Sequence, residues 1–316
     1  MPTPSVLFIA PPDPDEAVLA SGALAHVLAD LGEAAVTVVT PPEAAGLYRA
    51  LPGLSALHAW DKNRAFGEWI ALALKHATDP FDIVLDLSGA PGGYAIRAHR
   101  RIARRTPQAL MRRTQEYAAL FNTDAPQAPV LWLDQAASDA AAAVADEGPL
   151  LVLAPAGRAQ ACAWPAENFA AVARRLVGGP LANACIVLLG FAEDAPVTGA
   201  IAASLDADGL AARDLAGELD LLGAGALLER ATLALGVDNL WTQIAAVTGA
   251  PTLALFGPTD ERVRGPYGPR VRTLRGIEFE AAMGLPTLAE RSLLADISVD
   301  QVEAAAVELL RAGGLR

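Results

Sequence analysis

Lysine, histidine and cysteine are all scarce in this 316-residue chain, and each shortage removes a class of function. The two cysteines, Cys162 and Cys185, form no paired framework and no metal-ligand spacing, which fits a reducing compartment. The four histidines, His26, His58, His76 and His99, are scattered, with no HxxxH and no His–carboxylate cluster, so no metal site is expected. Neither GxGxxG nor GxxxxGK[ST] occurs, which argues against a dehydrogenase and an NTPase. A net charge of −12 leaves too few cations to neutralise a nucleic-acid backbone. The apolar run at the N-terminus is too short for a signal peptide and has no basic residue before it. Thr232–Pro258 is long and carries Asp238 as its one charge, but Asp, Asn, Gly and Pro divide it into strand and helix pieces, not one membrane span.

What is present is an apolar α/β pattern. Hydrophobic residues make up 53% of the chain, enough for about two domains with full cores. A first series reads Val6–Ala10 strand, a Pro- and Asp-rich turn, and a helix from about Glu16 to Leu31 with Leu19, Ala23, Leu24, Val27 and Leu28 on one face. Strand Ala35–Thr40, helix Pro41–Ala50, strand Leu57–Ala59, helix Ala65–His76 and strand Ile83–Leu87 follow. Val130–Leu133 reads as a further strand or edge segment, and Gln135–Glu147 as an Ala-rich helix broken by Gly148-Pro149. The second series has strands at Leu150–Ala154, Cys185–Leu189, Arg213–Leu215, Thr232–Gly236 and Pro251–Phe256. Helices alternate with them, and a last helix spans Ser298–Ala312. The alternation predicts two parallel sheets covered by helices, in domains 1–148 and 149–316.

Two stretches carry chemistry. In Thr232–Asp260 a strand runs at once into a helix. Asp238 and Asn239 are both N-cap types, and Gly249 closes the helix. This arrangement puts backbone N–H groups and the positive helix end at the carboxyl edge of a sheet, where phosphates bind. Spacing alone equally allows an ordinary βαβ unit. From Arg97 to Arg113 seven arginines fall (Arg97, Arg100, Arg101, Arg104, Arg105, Arg112, Arg113), with no acid between Leu87 and Gln115. Arg97, Arg100, Arg101 and Arg104 read either as a docking face for an anionic acceptor or membrane surface, or as a solvated helix face paired with acids elsewhere.

Several motifs together resemble the bacterial ADP-heptose:lipopolysaccharide heptosyltransferases. Gly236-Val237-Asp238, Ala245-Ala246, Gly249-Ala250-Pro251-Thr252, Leu255-Phe256-Gly257-Pro258-Thr259-Asp260 and Gly265-Pro266-Tyr267-Gly268 look like that family's signature. Trp164-Pro165-Ala166-Glu167-Asn168-Phe169 resembles its WPxExF segment, and Asp214-Leu215-Ala216-Gly217 its DLxG. Asp86–Gly89, Ala17–Gly22 and Ile297-Ser298-Val299 also agree. The resemblance implies a GT-B fold, two Rossmann-like domains facing a cleft with a C-terminal helix after the second. It implies inverting transfer of a sugar from a nucleotide-diphosphate donor, ADP-linked above all, to a lipopolysaccharide-type acceptor, with no metal or other cofactor. A cytoplasmic enzyme, peripheral on the inner membrane, follows from it.

The chemistry needs a carboxylate base, donors or cations on the leaving diphosphate, and an oriented acceptor. Carried over by position, the family's catalytic Asp falls on Glu16, with Asp15 in place of its Gly and Asp13 close by. Its diphosphate segment D-[TS]-G-x-x-H becomes Asp238-Asn239-Leu240-Trp241-Thr242-Gln243. Asn239 and Gln243 keep donors without charge, while Leu240 crowds the backbone approach. The family's Lys before Trp-Pro is Cys162, with Arg158 on the same loop as a substitute. Asp194 and Leu219 fall on nucleoside contacts, and Gly257, Pro258, Thr259 and Asp260 on the donor-side turn. A family member that binds nucleotide sugar, glycan or protein without turnover is the alternative.

Overall fold

The central strands of two sheets are short and almost wholly apolar, and strands buried on both faces need helices over each of them. The computed structural model describes residues 3–60, 66–89, 91–104, 110–145, 148–278 and 292–314; Arg105 and Glu147 lie outside them. The chain divides into two compact units, Met1–Trp132 and Leu133–Arg316.

In the first unit the strands are β1 (Ser5–Ile9), β2 (Ala35–Thr40), β3 (Leu54–Ala59), β4 (Phe81–Asp86) and β5 (Ala98–Ala103), all parallel, in the order β3-β2-β1-β4-β5. Helix α1 (Pro14–Leu31) starts where Asp13 accepts the Asp15 N–H at 3.0 Å and Pro14 supplies a preset φ. It ends at Gly32, whose φ of 73° lets the chain turn back. Helix α2 (Phe66–Lys75) packs on the sheet through Leu72, Trp69 and Ala73. A short α3 (Arg113–Ala119) lies against α1.

Three expectations change here. The helix expected over Pro41–Ala50 is a 3-10 helix, Pro42–Tyr48. Two prolines at its head and Gly46 inside leave too few residues to propagate an α-helix. Val130–Leu133 joins no sheet: the Val130 N–H donates to Ser21 Oγ at 2.8 Å, and the chain runs beside Gly22 of α1. The basic stretch is not a helix face. Its first half is β5, an edge strand on which Ile102 turns inward and Arg100 stands exposed.

In the second unit β6 (Leu150–Ala154), β7 (Cys185–Leu188), β8 (Ala212–Asp214), β9 (Leu233–Val237), β10 (Thr252–Phe256) and β11 (Val271–Arg275) form one parallel sheet, ordered β11-β10-β9-β6-β7-β8. Its helices are α4 (Gln135–Val144), α5 (Ala166–Val177), α6 (Ala195–Asp206), α7 (Leu221–Glu229) and α8 (Leu240–Val247). The C-terminal helix Val299–Ala312 opens on a Ser298/Gln301 capping box and packs on α5, β10 and β11. Trp164, fully inside, donates to the Ile297 carbonyl at 2.9 Å and so ties the head of α5 to the C-terminal helix. Helix α4 packs on α7 through buried Ala137 and Ala141, and Arg230 donates to the Ala141 carbonyl. The compact units therefore meet at Trp132/Leu133, before this helix, and not at Gly148. No described helix is long and apolar enough to cross a membrane.

Each sheet has one point where the strand order reverses. In the first it lies between β1 and β4, in the second between β9 and β6. Ligands of open parallel sheets bind at the carboxyl ends of such strands.

Candidate functional site

At the switch point of the second sheet, Asn239 caps α8. Its Oδ1 accepts the Thr242 N–H at 3.0 Å, and its Nδ2 donates to the Ala154 and Ala156 carbonyls, each at 3.0 Å. The side chain thus stitches the end of β9 to the end of β6. Of the two cap-type residues it is Asn239 that caps the helix, and one expectation is corrected: the Asn239 amide is spent inside the protein, leaving no donor for a phosphate. Gln243 is 1% exposed, and its Nε2 donates to the Arg264 carbonyl at 2.8 Å while its buried Oε1 meets no partner among the described residues. Leu240 and Trp241 are buried, the latter with its ring 5.1 Å from that of Phe191. Gly236 is required because a Cβ there would lie 2.6 Å from the Ala154 oxygen.

Asp238 stays half-exposed at the mouth of this corner, and its N–H donates to the Leu255 carbonyl at 3.0 Å. That bond sets it beside the end of β10 and the turn Gly257-Pro258-Thr259-Asp260. The Arg275 guanidinium, from β11, donates to the Gly257 and Thr259 carbonyls and pairs with Glu261. Asp260 caps the one-turn helix Glu261–Arg264 and holds Arg262 with both oxygens at 2.9 Å, so its pKa lies below the ordinary carboxylate value. Arg158 is exposed on the loop after β6, and Cys162 is half-buried on it. Asp194 accepts the Phe191 N–H at 2.8 Å, and burial raises its pKa. Leu219 is half-exposed beyond Gly217, whose φ of 76° lets the loop close against Ala192. All of these groups sit at carboxyl ends of strands of one sheet.

The first sheet gathers charge at its own carboxyl edge. Glu16, in the first turn of α1, is 7% exposed. Its Oε1 accepts Arg113 Nη2 at 2.9 Å, and its Oε2 lies 3.4 Å from Arg104 Nη1. Glu116 takes the other side of both arginines, with Arg104 Nε at 2.7 Å and a shorter contact to Arg113. Two acids and two arginines thus alternate in a closed, neutral ring. Burial alone would lower the Arg113 pKa, but the two carboxylates outweigh it and the net shift is upward. Tyr117, wholly buried beside the ring, is pushed up by burial. Asp15 is buried too, while Asp13 is half-exposed. Asp86 ends β4, holds the Ser88 N–H at 3.0 Å and its hydroxyl at 2.6 Å, and has its pKa raised by burial. Arg101 turns back to the Gly93 carbonyl at 2.9 Å and to that of Ile96, and Arg97 donates to the Ala77 carbonyl. Of the arginines expected at an acceptor, Arg104 thus enters the ring, Arg97 and Arg101 bind backbone nearby, and Arg100 stands exposed on β5.

Sequence reasoning missed Arg275, Glu116 and the roles of Arg104 and Arg113. The Arg113–Glu116 spacing of three on a helix is a visible signal. Nothing in the sequence joins Arg275 to a turn many residues earlier. Among the described residues no group of three or more His, Cys, Asp or Glu side chains is placed to hold a metal.

Two doubly wound parallel-sheet units closed by a C-terminal helix define the GT-B class of glycosyltransferases, the fold of every relative named next. The family model for glycosyltransferase family 9 (heptosyltransferase) matches residues 70–287, and the chain belongs to that family. The structure of Escherichia coli ADP-heptose lps heptosyltransferase II is similar over 98% of this chain and 99% of its own, with a TM-score of 0.76 at 20% identity. A family 9 glycosyl transferase from Veillonella parvula gives 0.81 at 17% identity, over 98% of both chains. E. coli heptosyltransferase WaaC with ADP gives 0.72 at 16%, over 96% of this chain and 99% of that one. No curated protein sequence matches the chain. Glycosyl transfer is therefore the activity of this protein's family.

Proposed function

We propose that the protein moves a heptose or related sugar from an ADP-linked donor, bound by the second unit, to an anionic lipopolysaccharide-type or other cell-surface glycan acceptor, and that it works in the cytoplasm. The carrying observation is the corner where Asp238 meets the Arg275-clamped turn at the end of β10. A helix N-terminus, a half-exposed carboxylate and a rigid Gly-Pro turn converge there, as a diphosphate sugar with hydroxyls requires. The ADP seen with the E. coli relative supports the choice of nucleotide. Since Asn239 and Gln243 are committed internally, the cation on the leaving diphosphate falls to Arg158.

On the acceptor side the base is a carboxylate at the start of α1. Both oxygens of Glu16 face guanidinium groups of the ring and not an acceptor hydroxyl. Asp13 is the more accessible of the three candidates, and the base role goes to it. Glu16 then fixes the frame around it.

Thermal melting with ADP, UDP, GDP and TDP tests the donor reading. A ligand at 100 times its Kd adds about 2.7 kcal/mol of stability. ADP should raise the Tm, and Asp238→Ala and Arg158→Ala should reduce that rise. If no nucleotide moves the transition, the donor site is lost and a partner-binding module takes its place.

A further inference from the structure

Helix α2 is apolar on both sides. Leu72, Trp69 and Ala73 face the sheet, while Ile70 is 46% and Leu74 71% exposed. A surface helix normally turns charge outward, and one that is apolar all round is normally covered. The 3-10 segment Pro91–Ala95 packs beside α2 and adds Tyr94, 64% exposed. The patch is continuous with the basic edge strand β5. The Ala77 N–H donates to the Leu74 carbonyl, and Arg97 donates to the Ala77 carbonyl. The Arg101 guanidinium lies 5.4 Å from the centre of the Tyr94 ring. Lys75 is exposed at the end of α2.

The charge around this patch selects its occupant. From β4 onward, Leu87 to Thr114 contains no acid, in a chain whose net charge is −12. Glu68, in the first turn of α2 itself, and Asp79, just past its end, are exposed, and Asp82 is turned to Ser5, whose N–H and hydroxyl it holds at 2.8 and 2.9 Å. Aliphatic side chains, a tyrosine and arginines side by side suit the boundary between lipid headgroups and acyl chains, where the first enter the tails and the last meet phosphate. The rest of the chain carries the net negative charge, so attraction to an anionic bilayer is strongest at this acid-free stretch.

We propose that α2, Tyr94 and the Arg97/Arg101 side of β5 form a docking surface for an anionic lipid bilayer. Ile70, Leu74 and Tyr94 insert at the headgroup level, and Lys75, Arg97 and Arg101 bind lipid phosphates. The surface belongs to the first unit and the donor corner to the second, so the proposal stands independently of the donor reading.

Co-sedimentation of the full chain with phosphatidylcholine vesicles, with and without phosphatidylglycerol, tests it. The parent should pellet with the phosphatidylglycerol vesicles at low salt, remain in the supernatant with phosphatidylcholine alone, and be released as salt rises. Ile70→Ser with Leu74→Ser, both at exposed positions, should weaken vesicle binding at least tenfold while the ADP-induced rise in Tm persists. Arg97→Glu should also weaken it. Failure of the parent to pellet, equal pelleting with both lipids, or unchanged binding by the serine variant overturns the proposal. So does a concentration-dependent dimer that the serine substitutions abolish, since a second copy would then cover the face. An absent ADP effect with vesicle binding intact counts against the donor site alone.

Discussion

Asn239 shows how one side chain changes the meaning of a motif. In sequence it reads as a donor aimed at phosphate; in the fold, its amide holds two strands together at the switch point. A cap contributes about 1 kcal/mol, and each stranded buried carbonyl costs about as much again. Asn239→Ala should therefore lower stability by about 2–3 kcal/mol in urea unfolding. Asn239→Ser, which keeps the cap, should lose roughly half of that. On the acceptor side Asp13→Asn and Glu16→Gln should part company. Asparagine caps α1 as well as aspartate does, so Asp13→Asn should leave the Tm unchanged and cut turnover about a hundredfold or more. Glu16→Gln removes one acid from a buried ring and should cost about 2 kcal/mol of stability. Equal turnover by Asp13→Asn and the parent would return the base role to Glu16. Asp260 adds a pH signature. Its folded pKa lies below the unfolded one, so its contribution is present above the unfolded value of 3.8 and is lost as pH falls through the folded value. Asp260→Asn should be less stable than the parent at pH 7 by under about 1 kcal/mol, and the gap should close below about pH 4.

At the scale of elements, the donor corner depends on a clamp from the neighbouring strand. Arg275 leaves β11 and holds the Gly257 and Thr259 carbonyls, so the turn is fixed by a guanidinium whose planar fork no lysine reproduces. Arg275→Lys should raise amide hydrogen exchange across Gly257–Glu261 and weaken ADP binding about tenfold, with a small change in Tm. Unchanged exchange there would remove the clamp. Strand β5 carries the other lesson at this scale. A run of arginines hides the two-residue alternation of a strand, because Arg97, Arg100 and Arg101 carry no apolar contrast beyond Ala98 and Ile102. The charge was visible in the sequence; the conformation that splits it between an ion-pair ring and an open edge was not.

At the scale of the molecule, each unit has its own sheet and its own buried core, so each should fold alone. The boundary makes this a sharp test. A fragment 133–316 keeps α4 on α7, whereas 149–316 strips Ala137 and Ala141 from that face. The longer fragment should melt cooperatively and be more stable by about 1–2 kcal/mol. Equal stability would return the boundary to Gly148.

The sequence by itself determined the two parallel sheets, most of their strands and the family. These follow from local facts: apolar runs of strand length, caps, glycines at turns, and motifs contiguous along the chain. Tertiary structure decided which polar groups are available for chemistry. Asn239 and Glu16 both belong to types that bind or catalyse, yet each spends its hydrogen bonds on partners brought close by strand order and helix packing. Most buried polar groups are partnered inside the protein, and the identity of the partner depends on the whole arrangement of the chain around it.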